Sequence, residues 1–166
     1  MTDKFRPNAG IVVFNHCGKV LLCERSDEKG AWQFPQGGIE ADETPTDAAK
    51  RELWEETSIK SVVPVQTLTE PVPYRFPPAV LALTQSRGWH YVGQKMYWSL
   101  FYFSGAENEI NLNTKDKEFQ AWRWGTLSEA YELIIDFKKP AYAVAVKKFE
   151  PLISAWLTKI SSSVCD

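Results

Sequence analysis

A single α/β domain is the fold class that the sequence predicts, on three observations. Runs rich in β-branched and aromatic residues, at 10–15 and 94–105, have the character of strands. Between them lies a helix opened by Thr44 and Pro45, a capping residue followed by one suited to the first helical turn. The chain closes on a second helix, from Pro140 to Ile160, with Ala145, Phe149, Leu152, Ile153, Trp156 and Ile160 on one stripe. The 166 residues suffice for one full core and are too few for two comfortable ones. Apolar residues at 44% and charged residues at 24% are ordinary for a globular domain.

The elements follow in order. Residues 10–15 form a strand, and 19–25 a second that pairs with it as a hairpin across a Cys-Gly-Lys turn. A loop leads to the strand-like Trp32–Phe34, and Pro35 with the Gly37-Gly38 pair turns the chain sharply before the helix. Within that helix Ala49 and Leu53 share a face next to a group of acids, which gives it something to bury. Residues 62–70 alternate as a strand does. Residues 71–93, with four prolines, read as a long excursion that turns at Arg87-Gly88. The aromatic run at 94–105 is a strand, 107–116 a polar loop, and 118–125 another strand. Ser128 caps a short helix at 127–134. Pro151 is expected to kink the last helix or split it at Glu150. The domain spans 1–160, and 161–166 reads as a disordered tail.

The net charge of −2 provides no global basic field, so any nucleic-acid site is a local patch. Cys17, Cys23 and Cys165 lack metal-ligand spacing and read as buried or free thiols of a reducing compartment. His16 and His90 are isolated, with surface or core roles expected. The N-terminus lacks the apolar stretch of a signal peptide, and no apolar run is long enough to cross a membrane. A cytoplasmic protein with no membrane partner and no obligate protein partner is the expectation.

Chemistry concentrates in the central helix. Glu52, Glu55 and Glu56, spaced i, i+3 and i+4, fall on one helical face. Three like charges so close repel one another, and such clusters are commonly solvated faces. A hard divalent cation reverses the sign, because Mg²⁺ takes carboxylate oxygens together with substrate phosphates. The stretch from Gly37 to Ile59 resembles a Nudix box: Gly37, Glu43, Arg51, Glu52, Leu53, Glu55, Glu56 and Ile59 occupy its fixed positions. Ser58 stands where the pattern has glycine, which bears on the exit from the helix and not on the acids. The resemblance implies a Nudix fold, a mixed β-sheet sandwiched between helices.

Further stretches are similar to one branch of that family, the bacterial RNA 5′ pyrophosphohydrolases and related dinucleoside polyphosphate hydrolases. They are Arg6–Val12, Trp32–Ile39, Gly93–Lys95, Glu118–Trp124, and Phe137–Lys138 with Tyr142 beyond. By that resemblance Glu52, Glu55, Glu56 and Glu118, with Gly37, form a metal site for two or more Mg²⁺ ions, Mn²⁺ being a second suitable ion. Glu52 is the candidate for activating water, with a ligand-only role as the alternative. Arg51 is expected to orient a carboxylate such as Glu43. Arg6 and Arg25 are placed near phosphates and base, where guanidinium suits both bidentate contact and stacking. Lys138 and Lys139 precede a helix that Pro140 starts and could form an anion site with its free N–H groups, or simply be exposed lysines. Phe137 could stack on a base or belong to the core. Gln36, Tyr74 and Lys95 are weaker candidates for the site lining, and none of the seven tryptophans is assigned to substrate.

The implied activity is hydrolysis of a phosphoanhydride, with pyrophosphate or successive phosphates removed from a triphosphorylated RNA 5′ end. Cleavage of dinucleoside polyphosphates or free nucleoside triphosphates is the alternative. A nucleotide-sensing module without turnover is the reading from another class, against which the full set of acids argues.

Overall fold

The computed structural model describes residues 3–160. The strands are β1 (Phe5–Phe14), β2 (Val20–Arg25), β3 (Trp32–Gln33), β4 (Gln36–Gly38), β5 (Val62–Thr67), β6 (Val72–Arg75), β7 (Gly93–Phe103) and β8 (Phe119–Gly125). The helices are α1 (Pro45–Thr57), α2 (Pro78–Ser86), α3 (Leu127–Leu133) and α4 (Lys139–Lys159). All eight strands join one sheet. Its spine is the parallel pair β1 and β7, in register from Phe5↔Gly93 to Phe14↔Tyr102, and the other pairings are antiparallel. The sheet is therefore mixed.

Both faces of the sheet are covered, which is why β1 reads as a continuous apolar run and not as an alternation. On one face Ala9, Ile11, Val13, Leu21 and Phe101 pack with Ala48, Ala49 and Leu53 of α1. On the other, Val12, Phe14, Leu22, Phe34 and Trp98 pack with Tyr142, Ala145 and Phe149 of α4. The expected α/β sandwich is present.

The hairpin of β1 and β2 is brief, sharing only the register pair Phe14↔Val20 before the strands part. The 32–38 segment fills the wedge between them, with β3 pairing to β2 and β4 to β1. This splay shapes the site described below. β1 also starts five residues earlier than the expected strand, at Phe5, because residues 5–9 pair with β7.

Other details depart from expectation for identifiable reasons. The 71–93 stretch is not an irregular excursion. It holds β6 and α2, with Gly88 turning the chain at φ 85°. No residue of α2 is buried, so it leaves no apolar periodicity to detect. The cap of α3 is Thr126, not Ser128; it forms a reciprocal capping box with Glu129. α4 is not split at Glu150. Pro151 lies inside it, held on either side by buried Phe149 and Ile153. Pro151 and Lys147, whose carbonyl the proline leaves without its helical partner, are both exposed, so water can reach that carbonyl. Cys23 is a buried thiol, whereas Cys17 is disulfide-bonded and not the free thiol expected. The expected tail, with Cys165, lies outside the described residues. Among the described residues no helix is long and apolar enough to cross a membrane.

Candidate active site

α1 begins as its sequence dictates: the Thr44 side chain accepts from the Asp47 N–H and Pro45 opens the first turn. It ends at Ser58, whose φ of 67° is the left-handed conformation that a glycine takes more easily. Ser58 N–H donates to the Trp54 carbonyl, and its Oγ donates to the Asn111 carbonyl at 2.9 Å. The exit keeps a helix-capping geometry despite the Cβ.

At the wide end of the wedge a cavity of about 300 Å³ opens. Glu52, Glu56 and Glu118 line it with Arg6, Arg25 and Lys138, and Asn8, Gln33, Gln36, Gly37, Gly38, Gln94 and Phe119 complete its wall. Two glycines permit the close approaches. A Cβ on Gly37 would lie 2.0 Å from the Glu52 carboxyl carbon, and one on Gly38 would lie 2.1 Å from Arg6 Nη2.

The three acids of α1 sit in three different environments. Glu55 is exposed and Glu52 half-buried, while Glu56 is buried at 7%. Burial pushes the Glu56 carboxyl well above its ordinary pKa, and the charges of Glu52 and Glu118 add to the shift. Glu52 is raised too, chiefly by burial, against the counteracting hydrogen bond from Arg51. Arg51 ties these elements together. Its Nη1 donates to Glu52 Oε1 at 2.9 Å and to Glu55 Oε2 at 3.2 Å, and its Nη2 to the Gly38 carbonyl at 2.9 Å.

The basic wall is equally specific. Lys138 is 7% exposed, with Nζ 3.3 Å from Gln36 Oε1, and burial next to Arg25 lowers its pKa to about 8. Arg25 pairs with Asp27 at 2.7 Å. Arg6 lies over the Trp89 ring at 4.8 Å, a contact that ties the cleft to the 76–92 segment.

Of the residues singled out in the sequence, Glu52, Glu56, Glu118, Gly37, Arg6, Arg25, Gln36 and Lys138 meet in this cleft. Glu55 lines a separate cavity with Trp54 and Ser58. Tyr74 is buried behind the cleft, its hydroxyl donating to Gln94. Phe137 is half-buried against Tyr74, ring centroids 5.8 Å apart, and Lys95 is half-buried outside the lining. Lys139 points elsewhere, its Nζ donating to the Tyr131 and Glu132 carbonyls at the end of α3. Asn8, Gln33 and Gln94 are cleft residues that the sequence did not single out. A signal for Asn8 existed: it lies two residues from Arg6 on one strand, hence on the same face.

Among the described residues no three His, Cys, Asp or Glu side chains already converge as a finished cation shell. The donor set nevertheless suits a hard cation. Glu56 Oε2 is buried without a hydrogen-bond partner, inside a cleft that two further carboxylates line.

A helix of acids beside a basic cleft on a mixed sheet is the arrangement of a hydrolase acting on phosphoanhydrides. The chain belongs to the Nudix family: the NUDIX domain matches residues 4–147. Members of that family typically use divalent metals. The chain is 43% identical over 149 residues to an RNA pyrophosphohydrolase of Caulobacter vibrioides, covering 87% of this chain and 86% of the relative. It is 40% identical over 150 residues to Nudix hydrolase 25 of Arabidopsis thaliana, with coverage of 87% and 86%. Among solved structures, the E. coli dihydroneopterin triphosphate pyrophosphohydrolase shares the fold, with a TM-score of 0.66 at 19% identity over 89% of this chain and 99% of that one.

Proposed function

We propose that this protein removes pyrophosphate, or successive phosphates, from the 5′-triphosphate end of RNA, with Mg²⁺ as its cofactor and Mn²⁺ as a workable substitute. The observation that carries the reading is the cleft itself: acids from α1 and Glu118 face Arg6, Arg25 and Lys138 across a single small cavity. Its supporting context is the set of relatives named RNA pyrophosphohydrolase, including one of Rickettsia bellii at 38% identity over 90% of this chain.

Glu52, Glu56 and Glu118 would hold the cation, with Glu55 at the rim, and Gly37 would let Glu52 approach the backbone. The cation supplies neutralisation of the polyphosphate charge and acidification of water. Glu52, half-buried at the cleft, is the residue we assign to accepting the proton of the attacking water, with a ligand-only role as the alternative. Arg6, Arg25 and Lys138 would bind phosphate oxygens, and Gln36 would hold Lys138 in place. Phe137, half-buried over Tyr74, would give the first bases a face to stack on. Tyr74 acts from behind, through Gln94. Lys95 and Lys139, which lie outside the cleft lining, receive no role in this reading. The cytoplasm is the compartment proposed, since triphosphorylated transcripts arise there.

The test is a product assay with Mg²⁺ on triphosphorylated RNA, diadenosine tetraphosphate and GTP in parallel. Release of pyrophosphate or phosphate from RNA, leaving a 5′-monophosphate, is expected. Turnover of diadenosine tetraphosphate alone would assign the dinucleotide activity instead.

A further inference from the structure

Two buried oxygen atoms in the cleft have no hydrogen-bond partner: Glu56 Oε2 and Asn8 Oδ1. Both residues line the same cavity. Asn8 is 1% exposed on β1, where its backbone is in register with Gly38 on one side and Met96 on the other. Arg6 and Asn8 alternate onto one face of the strand, so the side chain is delivered into the cleft and not into the core under α1. A buried amide oxygen without a donor is destabilising, and native structures tolerate few of them.

The chemistry of the missing partner is constrained. A phosphate oxygen cannot satisfy Asn8 Oδ1 or the ionised Glu56 carboxylate, because all of these oxygens are acceptors. The two atoms require something that presents positive charge or O–H donors to both. A hydrated divalent cation does so: a carboxylate oxygen binds the ion, and an amide oxygen accepts from water of its hydration shell. We infer that Asn8 is a positioning residue for the cation, with Oδ1 accepting a hydrogen bond from a hydration-shell water while Glu56 binds the ion. The inference rests on the reading of this cleft as a divalent-metal site. It does not depend on which polyphosphate is the substrate.

The experiment is Mn²⁺ binding to the substrate-free protein, followed by electron paramagnetic resonance, for wild type, N8L, N8D, N8S and E56Q. Leucine matches asparagine in shape and has no acceptor, so N8L is expected to weaken Mn²⁺ binding about 10–100-fold, the range for outer-shell partners. N8D keeps an acceptor at the same place and should bind Mn²⁺ at least as tightly as wild type. N8S, whose hydroxyl is too short to reach, should behave as N8L and supplies the result if N8L does not fold. E56Q should lose binding further than any Asn8 variant. Thermal melts of each variant with and without Mn²⁺ separate packing from metal binding. A merely structural role for Asn8, or a resident water between the two oxygens, would lower the melting temperature in N8L and leave the Mn²⁺ affinity within about threefold of wild type, which would overturn the inference. Equal weakening in N8L and N8D would overturn it as well. Absence of Mn²⁺ binding by wild type would remove the metal reading and the inference together, whereas normal binding with an intact N8L removes only the inference.

Discussion

Arg51 holds Glu43 with two parallel hydrogen bonds, Nε to Oε2 at 2.6 Å and Nη2 to Oε1 at 2.8 Å. Glu43 lies in the loop before α1 and Arg51 in the middle of it, so the pair staples the loop onto the helix. The same guanidinium reaches Glu52 and Glu55 with its remaining nitrogen. Arg51 is thus a strut that fixes the orientation of the acids from outside the cleft.

Arg51→Lys should therefore reduce activity and Mg²⁺ affinity by about 10–100-fold, as losses of outer-shell partners do, because an ammonium cannot make the paired contact. The hydrogen bond from Arg51 lowers the Glu43 pKa to about 2. For a carboxyl depressed on folding, the stabilisation is complete above the unfolded value of about 4.3 and disappears as pH falls through the folded one. Thermal melts of wild type and Glu43→Gln should accordingly converge between pH 4.5 and 2; a constant gap across that range would contradict the assignment.

Glu52→Gln preserves size and removes both charge and basicity, and kcat should drop about 10²–10⁴-fold. Glu55→Gln and Glu56→Gln should weaken metal affinity, so raising Mg²⁺ should recover part of their activity. Near wild-type turnover in all three, with unchanged circular dichroism, would rule out the metal site. Glu56→Gln has a second signature in chelator. The Glu56 pKa is raised on folding, so the folded state binds more protons than the unfolded one and loses stability as pH rises above about 4.3. The variant should melt higher than metal-free wild type at neutral pH, and lower or equal melting would oppose this account.

Burial lowers the Lys138 pKa to about 8, which puts the cation proposed to bind phosphate within reach of mild alkali. The kcat/KM for triphosphorylated RNA should fall as pH rises through about 8, since that ratio reports the free enzyme. Lys138→Met should have a raised KM without the alkaline limb, and Lys138→Arg should move the limb upward. An identical limb in Lys138→Met would assign it to another group.

Phe137 is half-buried, neither the free platform nor the core residue that the sequence left open. Phe137→Leu keeps most of its packing on Tyr74 and removes the stacking face. Binding of RNA should weaken by about 1–3 kcal/mol, the range for base stacking, with the melting temperature little changed. Loss of stability without a change in KM would make the contact with Tyr74 its whole role.

The box was legible because its chemistry is linear: the cap, the acids and the arginine follow one another along α1. The strands were legible where two covered faces force continuous apolar runs, as in β1 and β7. What the sequence hid depends on side-chain direction. Lys138 and Lys139 are neighbours in sequence, yet one enters the cleft and the other caps α3. Glu55 belongs to the same acidic face as Glu52, yet stays exposed while Glu56 is buried. Trp54 and Trp89 are exposed at 49% and 37%, and Trp89 supports Arg6. α2 went unseen because it buries nothing.

The most direct test of the RNA assignment is kcat/KM for GTP, a triphosphorylated trinucleotide and a long transcript at one salt concentration. The protein carries a net charge of −2, and its cleft cations, Arg6, Arg25 and Lys138, surround one small cavity. Recognition should stop within the first two or three nucleotides, through phosphate contacts and stacking. The trinucleotide should then equal the long transcript within a few-fold, and both should exceed GTP, which offers one base instead of two or three. If GTP or diadenosine tetraphosphate surpassed the trinucleotide by more than about tenfold, or ~1.4 kcal/mol of transition-state binding, the RNA assignment would be contradicted.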